Sequence, residues 1–105
     1  MDRLREQIGS GEALGRFVDL FRSQTPAKLD ELEKAVQDGE LDERKRVAHF
    51  LKGSAASLGA TRMTELCREL ESAAPLRAPD LVAALVAAFD EAVGVLETEA
   101  SRVGR

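Results

Sequence analysis

"VAHFLKGSAASLG", Val47 to Gly59, has the spacing of a helix that buries one face. Val47, Ala48, Leu51, Ala55 and Leu58 recur with a period near 3.6 and form one apolar stripe. Gly59 follows as a natural stop, because glycine accepts the left-handed conformation that ends many helices. The same stretch holds the only histidine of the chain, His49. On a wheel of about 100° per residue, His49 falls nearly opposite the stripe, which predicts an exposed ring. Lys45, Arg46, Lys52, Gly53 and Ala56 are its neighbours at helical spacing.

The segments on either side repeat the helical pattern. Glu12 to Gln37 carries Leu14, Phe17, Val18, Phe21, Leu29, Leu32 and Val36 in one phase. Pro26 interrupts it, yet the phase continues across the proline, which predicts one kinked helix rather than two. Asp38-Gly39 is its stop. Beyond Gly59, Thr61 is a suitable N-cap for a helix with Met63, Leu66, Cys67 and Leu70 on one face. After "APLRAP", Pro79 suits a first helical position and Leu81, Leu85, Phe89, Val93 and Leu96 form the next stripe. The expected elements are long helices over about 12–37, 41–58, 61–73 and 79–102. A short N-terminal helix over about 2–8 would use Leu4 and Ile8 as a lid. No segment alternates with period two. The fold class expected is all-α, an antiparallel four-helix bundle in a single domain spanning 1–105.

Composition narrows the function. The chain has 105 residues, 44% of them apolar but only 4% aromatic, with neither Trp nor Tyr, so its core is built from Leu, Val and Ala. A net charge of -4 with mixed signs argues against a nucleic-acid interface and against an anionic membrane surface. The single cysteine, Cys67, allows no internal disulfide and fits a reducing compartment. No apolar run has the length of a membrane span, and "MDRLREQIG" lacks a signal-peptide core. The expected location is cytoplasmic, either as a separate protein or as the cytoplasmic portion of a membrane sensor, and a monomer is the simplest state.

Gly53 needs a reason, since an interior helical glycine costs roughly 0.5–1 kcal/mol relative to Ala. It lies one turn after His49, so the missing side chain clears space beside the imidazole. Lys52 is placed to meet an anion carried by the ring, with three donors for phosphate oxygens. A neutral imidazole is a good nucleophile near pH 7, so His49, Lys52 and Gly53 together suit a phosphoryl acceptor. Each feature alone is ordinary: a surface histidine, a glycine that permits close packing, a solvated lysine.

The run Ala48 to Ala60, "AHFLKGSAASLGA", resembles the signature of the histidine-containing phosphotransfer (HPt) domain family of bacterial two-component phosphorelays. "FVDLFRSQTPAKLDELEKAVQDGE" and "TELCRELE" are similar to that family's first and third long helices. The resemblance implies a four-helix bundle whose His49 takes a phosphoryl group on its outer ring nitrogen from a receiver-domain aspartate and passes it to another. Lys52 would steady the phosphoryl group and Gly53 would admit the receiver. Lys45, Arg46, Phe50, Ala56 and Ser57 would belong to the docking patch, with Phe50 read either as core edge or as an apolar contact. Response-regulator receiver domains are the implied partners, and a hybrid sensor kinase is another. No cofactor of the chain's own is implied; Mg²⁺ belongs to the receiver. No autokinase activity is expected, because no phosphate-binding glycine loop followed by Lys-Ser/Thr occurs.

Two other classes compete with this reading. A helical adaptor that docks receivers without being phosphorylated would share the bundle and the surface. A hydrolase or metal enzyme fails on inventory, since one His and one Cys on different helices make a poor metal site and no Ser-His-Asp spacing stands out.

Overall fold

A computed structural model of the chain describes residues 11–103, with side chains described for residues 15–99. The expected short helix over residues 2–8 lies outside the described residues. Four helices are present, α1 (Gly11–Gln37), α2 (Leu41–Ser57), α3 (Thr61–Ser72) and α4 (Ala78–Val103), and no strand occurs among the described residues.

α1 runs unbroken through Pro26. Pro26 is exposed, so the Arg22 carbonyl left without its intrahelical donor lies on the solvent side of the helix. The buried face is Val18, Phe21, Leu29, Leu32 and Ala35. Phe17, expected on that face, sits on its margin toward α2 and stays 40% exposed.

Two three-residue turns join α1 to α2 and α2 to α3 by the same device. Gly39 takes φ 69° and Gly59 takes φ 75°, conformations that other residues adopt only with strain. Glu40 N–H donates to the Ala35 carbonyl at 2.9 Å and Gly39 N–H to that of Val36 at 3.3 Å. The second turn repeats this pairing with Ala60 to Ala55 at 2.9 Å and Gly59 to Ala56 at 3.1 Å. Each pair satisfies carbonyls that a helix end would otherwise leave open. Thr61 does not act as the N-cap. The cap is Ala60, which has no side-chain bond to offer, and Thr61 is already helical. The closure at Gly59 and Ala60 leaves no room for another residue before the first turn. α4 likewise starts one residue before Pro79, and Pro79 still falls in the first turn, where no donor is needed.

α1 packs on α2 and α4, and α3 packs on the same two helices. With such short connections, sequence neighbours run antiparallel around one core. Leu32, Leu51, Met63, Leu70 and Leu85 are its largest fully buried side chains. Phe21 and Phe89 meet at 5.3 Å between ring centroids, tilted by 57°. Val93 and Leu96 are only partly buried, toward the end of the α4 stripe. No helix of the described chain is long and apolar enough to cross a membrane.

Candidate functional site

α2 buries Val47, Ala48, Leu51 and Ala55, and this fixes what its opposite face shows. His49 lies there with 75% of its side chain exposed. Its Nδ1 is 3.1 Å from Oε1 of Glu71 on α3. The other oxygen of the same carboxylate, Oε2, accepts from Lys52 Nζ at 2.9 Å. One carboxylate therefore bridges the histidine and the lysine, one oxygen to each.

Burial pushes the Glu71 carboxyl up, but hydrogen bonds and charge from Lys52 and His49 outweigh it and hold the group below the ordinary carboxylate range. Glu71 is thus ionised at neutral pH and can only accept hydrogen bonds. Nδ1 must then be the donor, so the neutral ring carries its proton on Nδ1 and presents the Nε2 lone pair outward. Cys67 lies in the core below and offers no competing nucleophile. Burial, reinforced by the nearby Glu71 charge, pushes its thiol up to about 12 against the pull of Lys52.

The two flanks of His49 differ. Lys52 is on the α3 side, and Lys45 and Glu71 share the rim of a cavity of about 330 Å³ there. On the α1 side, Phe17, Leu20, Gln24, Phe50, Gly53, Ser54 and Ser57 line a shallow apolar groove of about 500 Å³. Phe50 is 51% exposed, with Lys28 Nζ 5.0 Å above its ring. A Cβ added at Gly53 would meet nothing within 4 Å. Ser57 is exposed and its hydroxyl donates to the Gly53 carbonyl at 3.0 Å. Ala56 is exposed but does not line the groove. Arg46 is held by Glu43, with Nε 3.1 Å from Oε2 and NH2 on Oε1.

The residues singled out by sequence thus share one face, but Lys45 and Lys52 fall on the opposite flank from Phe50 and Ser57. Sequence reasoning missed Glu71, and also Phe17 and Leu20 as groove residues. The available signal for Glu71 was its place beside Leu70, at the margin of the α3 stripe.

The family model for the Hpt domain matches residues 16–103. The chain belongs to the Hpt domain family. As an Hpt domain it is similar to the "Phosphorelay intermediate protein YPD1" of Candida albicans, 34% identical over 56 residues, which are 53% of this chain and 30% of that protein. It is 36% identical over 60 residues to the "Multistep phosphorelay regulator 1" of Schizosaccharomyces pombe, covering 57% of this chain and 20% of that protein. It is also 36% identical over 73 residues to the "Sensor protein TorS" of Escherichia coli, covering 70% of this chain and 8% of that protein. The matched regions span less than a third of each of these relatives. No solved structure matches the chain significantly. Among the described residues of the Hpt domain, no group of three or more His, Cys, Asp or Glu side chains is placed to hold a metal ion.

Proposed function

We propose that this Hpt domain is a phosphocarrier of a multistep phosphorelay, working through phospho-His49 between aspartates of receiver domains. The observation that carries the reading is the exposed His49 ring with Nδ1 tied to Glu71, which leaves Nε2 as the free nucleophile. The Nε2 lone pair attacks the phosphorus of an aspartyl phosphate. The N–P bond forms as the P–O bond breaks, and the aspartate leaves as a carboxylate with the electron pair. Nδ1 keeps its proton and its hydrogen bond to Glu71, and the ring's positive charge sits beside the phosphoryl oxygens it now carries. Onward transfer reverses these steps on a second receiver.

Lys52 supplies the counter-charge for the phosphoryl oxygens, and the open surface at Gly53 admits the receiver. The groove lined by Phe17, Leu20 and Phe50 is the apolar part of the docking surface, while Lys45 lies on the far side of the ring. On this reading the domain brings no cofactor, the receiver brings Mg²⁺, and the setting is cytoplasmic.

The test is incubation with a phosphorylated receiver. Wild type acquires an acid-labile phosphoryl group, and His49→Gln does not. Lys52→Ala keeps the helical signal but transfers about tenfold more slowly or loses the group faster, the scale of one charge-assisted hydrogen bond. A wild-type protein that binds the receiver yet takes no label is an adaptor instead.

A further inference from the structure

Glu71 sits on a different helix from the two groups it joins, and it engages them through separate oxygens. Lys52, with 26% of its side chain exposed, and Glu71, with 23%, are much less open to water than the His49 ring. The lysine is therefore already partnered before any phosphoryl group arrives. Its partner lies on the Nδ1 side of the ring, whereas a phosphoryl group occupies the outer side, on Nε2. An ammonium bound to Glu71 must swing toward the outer edge to meet phosphoryl oxygens.

The charges explain why it would move. In the unphosphorylated site, one lysine cation balances one carboxylate beside a neutral ring. A phosphoryl group brings up to about two negative charges and three acceptor oxygens. Glu71 then competes with the phosphoryl group for the same cation, while it keeps the Nδ1 proton of His49. Arg46 is paired with Glu43 on its own helix and feels Glu31 of α1, on the side of α2 away from Lys52. Lys45 lies one turn before His49 and two before Lys52 on α2, on the rim it shares with Glu71.

We propose that Glu71 is a positioning residue that holds Lys52 in the resting protein and contests it in the phosphorylated one, so that it limits how long His49 retains its phosphoryl group. This rests on phosphorylation of His49 and deepens that reading. A carrier is served by such a contest, since a phosphoryl group bound without competition would be slow to leave for the next receiver.

Phosphoramidate tests it without a receiver: His49 Nε2 displaces ammonia, the reagent's P–N bond breaking as the protein's forms. The half-life of phospho-His49 is then followed by ³¹P NMR in wild type, Glu71→Gln, Lys52→Ala and the double variant. Glutamine keeps one acceptor oxygen for the His49 Nδ1 proton and removes the charge that holds Lys52. Glu71→Gln is expected to lengthen the half-life about two- to fivefold, the scale of one partly exposed ion pair. In the Lys52→Ala background the same change should have almost no effect, because the contested cation is gone. Glu71→Ala, measured alongside, should behave as Glu71→Gln does toward Lys52. An unchanged half-life in both Glu71 variants overturns the proposal. So does an equal lengthening with and without Lys52, which would place the action of Glu71 on the ring alone. Wild type that takes no phosphoryl group from phosphoramidate or from a phosphorylated receiver overturns the carrier reading itself, and this proposal with it.

Discussion

At Gly53 the needs of the helix and of the site oppose each other. The position is exposed in mid-helix, and an added Cβ meets nothing within 4 Å, so no packing reason demands glycine. Gly53→Ala should stabilise the domain by about 0.5–1 kcal/mol, the usual gain from replacing an unstrained helical glycine. Thermal melting would show it as a rise of about 4–8 °C per kcal/mol. Gly53→Leu should also melt higher than wild type and should still react with phosphoramidate. Its transfer from a phosphorylated receiver should fail, because the side chain projects into the space beside His49. Normal transfer by the leucine variant would refute the clearance argument. His49, Lys52 and Gly53 were legible in the sequence because helical spacing fixes which residues share a face. Glu71 was not, since its role depends on which margin of α3 meets α2. Periodicity within one helix does not set the rotation of its neighbour.

The same limit acts on whole elements. "DERKR", residues 42–46, is charged at every position and lies at the start of α2. The structure nonetheless buries Arg44, which is 5% exposed and donates from NH2 to the Ala73 carbonyl at 2.8 Å. Ala73 is the C-cap of α3, and the guanidinium meets both its open carbonyl and the negative end of the helix. Arg44 Nε is buried with no partner, so the arginine is held there against an unmet hydrogen bond. Glu71 lies two residues before Ala73, so Arg44 pins the turn from which the carboxylate reaches His49 and Lys52. Arg44→Ala is expected to cost about 1–3 kcal/mol, through an orphaned carbonyl and lost packing of the arginine stem. Hydrogen exchange should rise first in the last turn of α3 and the connector after it. Faster exchange spread evenly over all four helices would mean a general packing loss and not a lost cap. The helices themselves were legible from their stripes. The Thr61 cap was misjudged by one residue, because the Gly59 turn closes on Ala60.

Across the whole molecule, the antiparallel pairing of α1 with α2 sets the first half of α1 against the stretch of α2 that follows His49, from Phe50 to Ser57. That half leaves Phe17 40% and Leu20 55% exposed, and Phe50 of α2 is 51% exposed across the groove from them. Three large apolar side chains around one shallow groove cost solubility without adding to the core, which is the pattern of a surface covered by a partner. Leu20 tests this best, because it is the most exposed of the three and contributes least to folding. Leu20→Glu should leave stability within about 0.5 kcal/mol of wild type. It should leave phosphoramidate labelling of His49 unchanged, since the ring, Lys52 and Glu71 are untouched. Affinity for a receiver should fall about tenfold or more in a calorimetric titration, as expected when charge enters the apolar centre of an interface. The transfer rate at low receiver concentration should fall with it and recover at saturation, because only docking is impaired. Wild-type affinity in this variant would move the docking surface to the other flank of His49, where Lys45 lies. A loss of direct labelling would show instead that the groove supports the reactive ring.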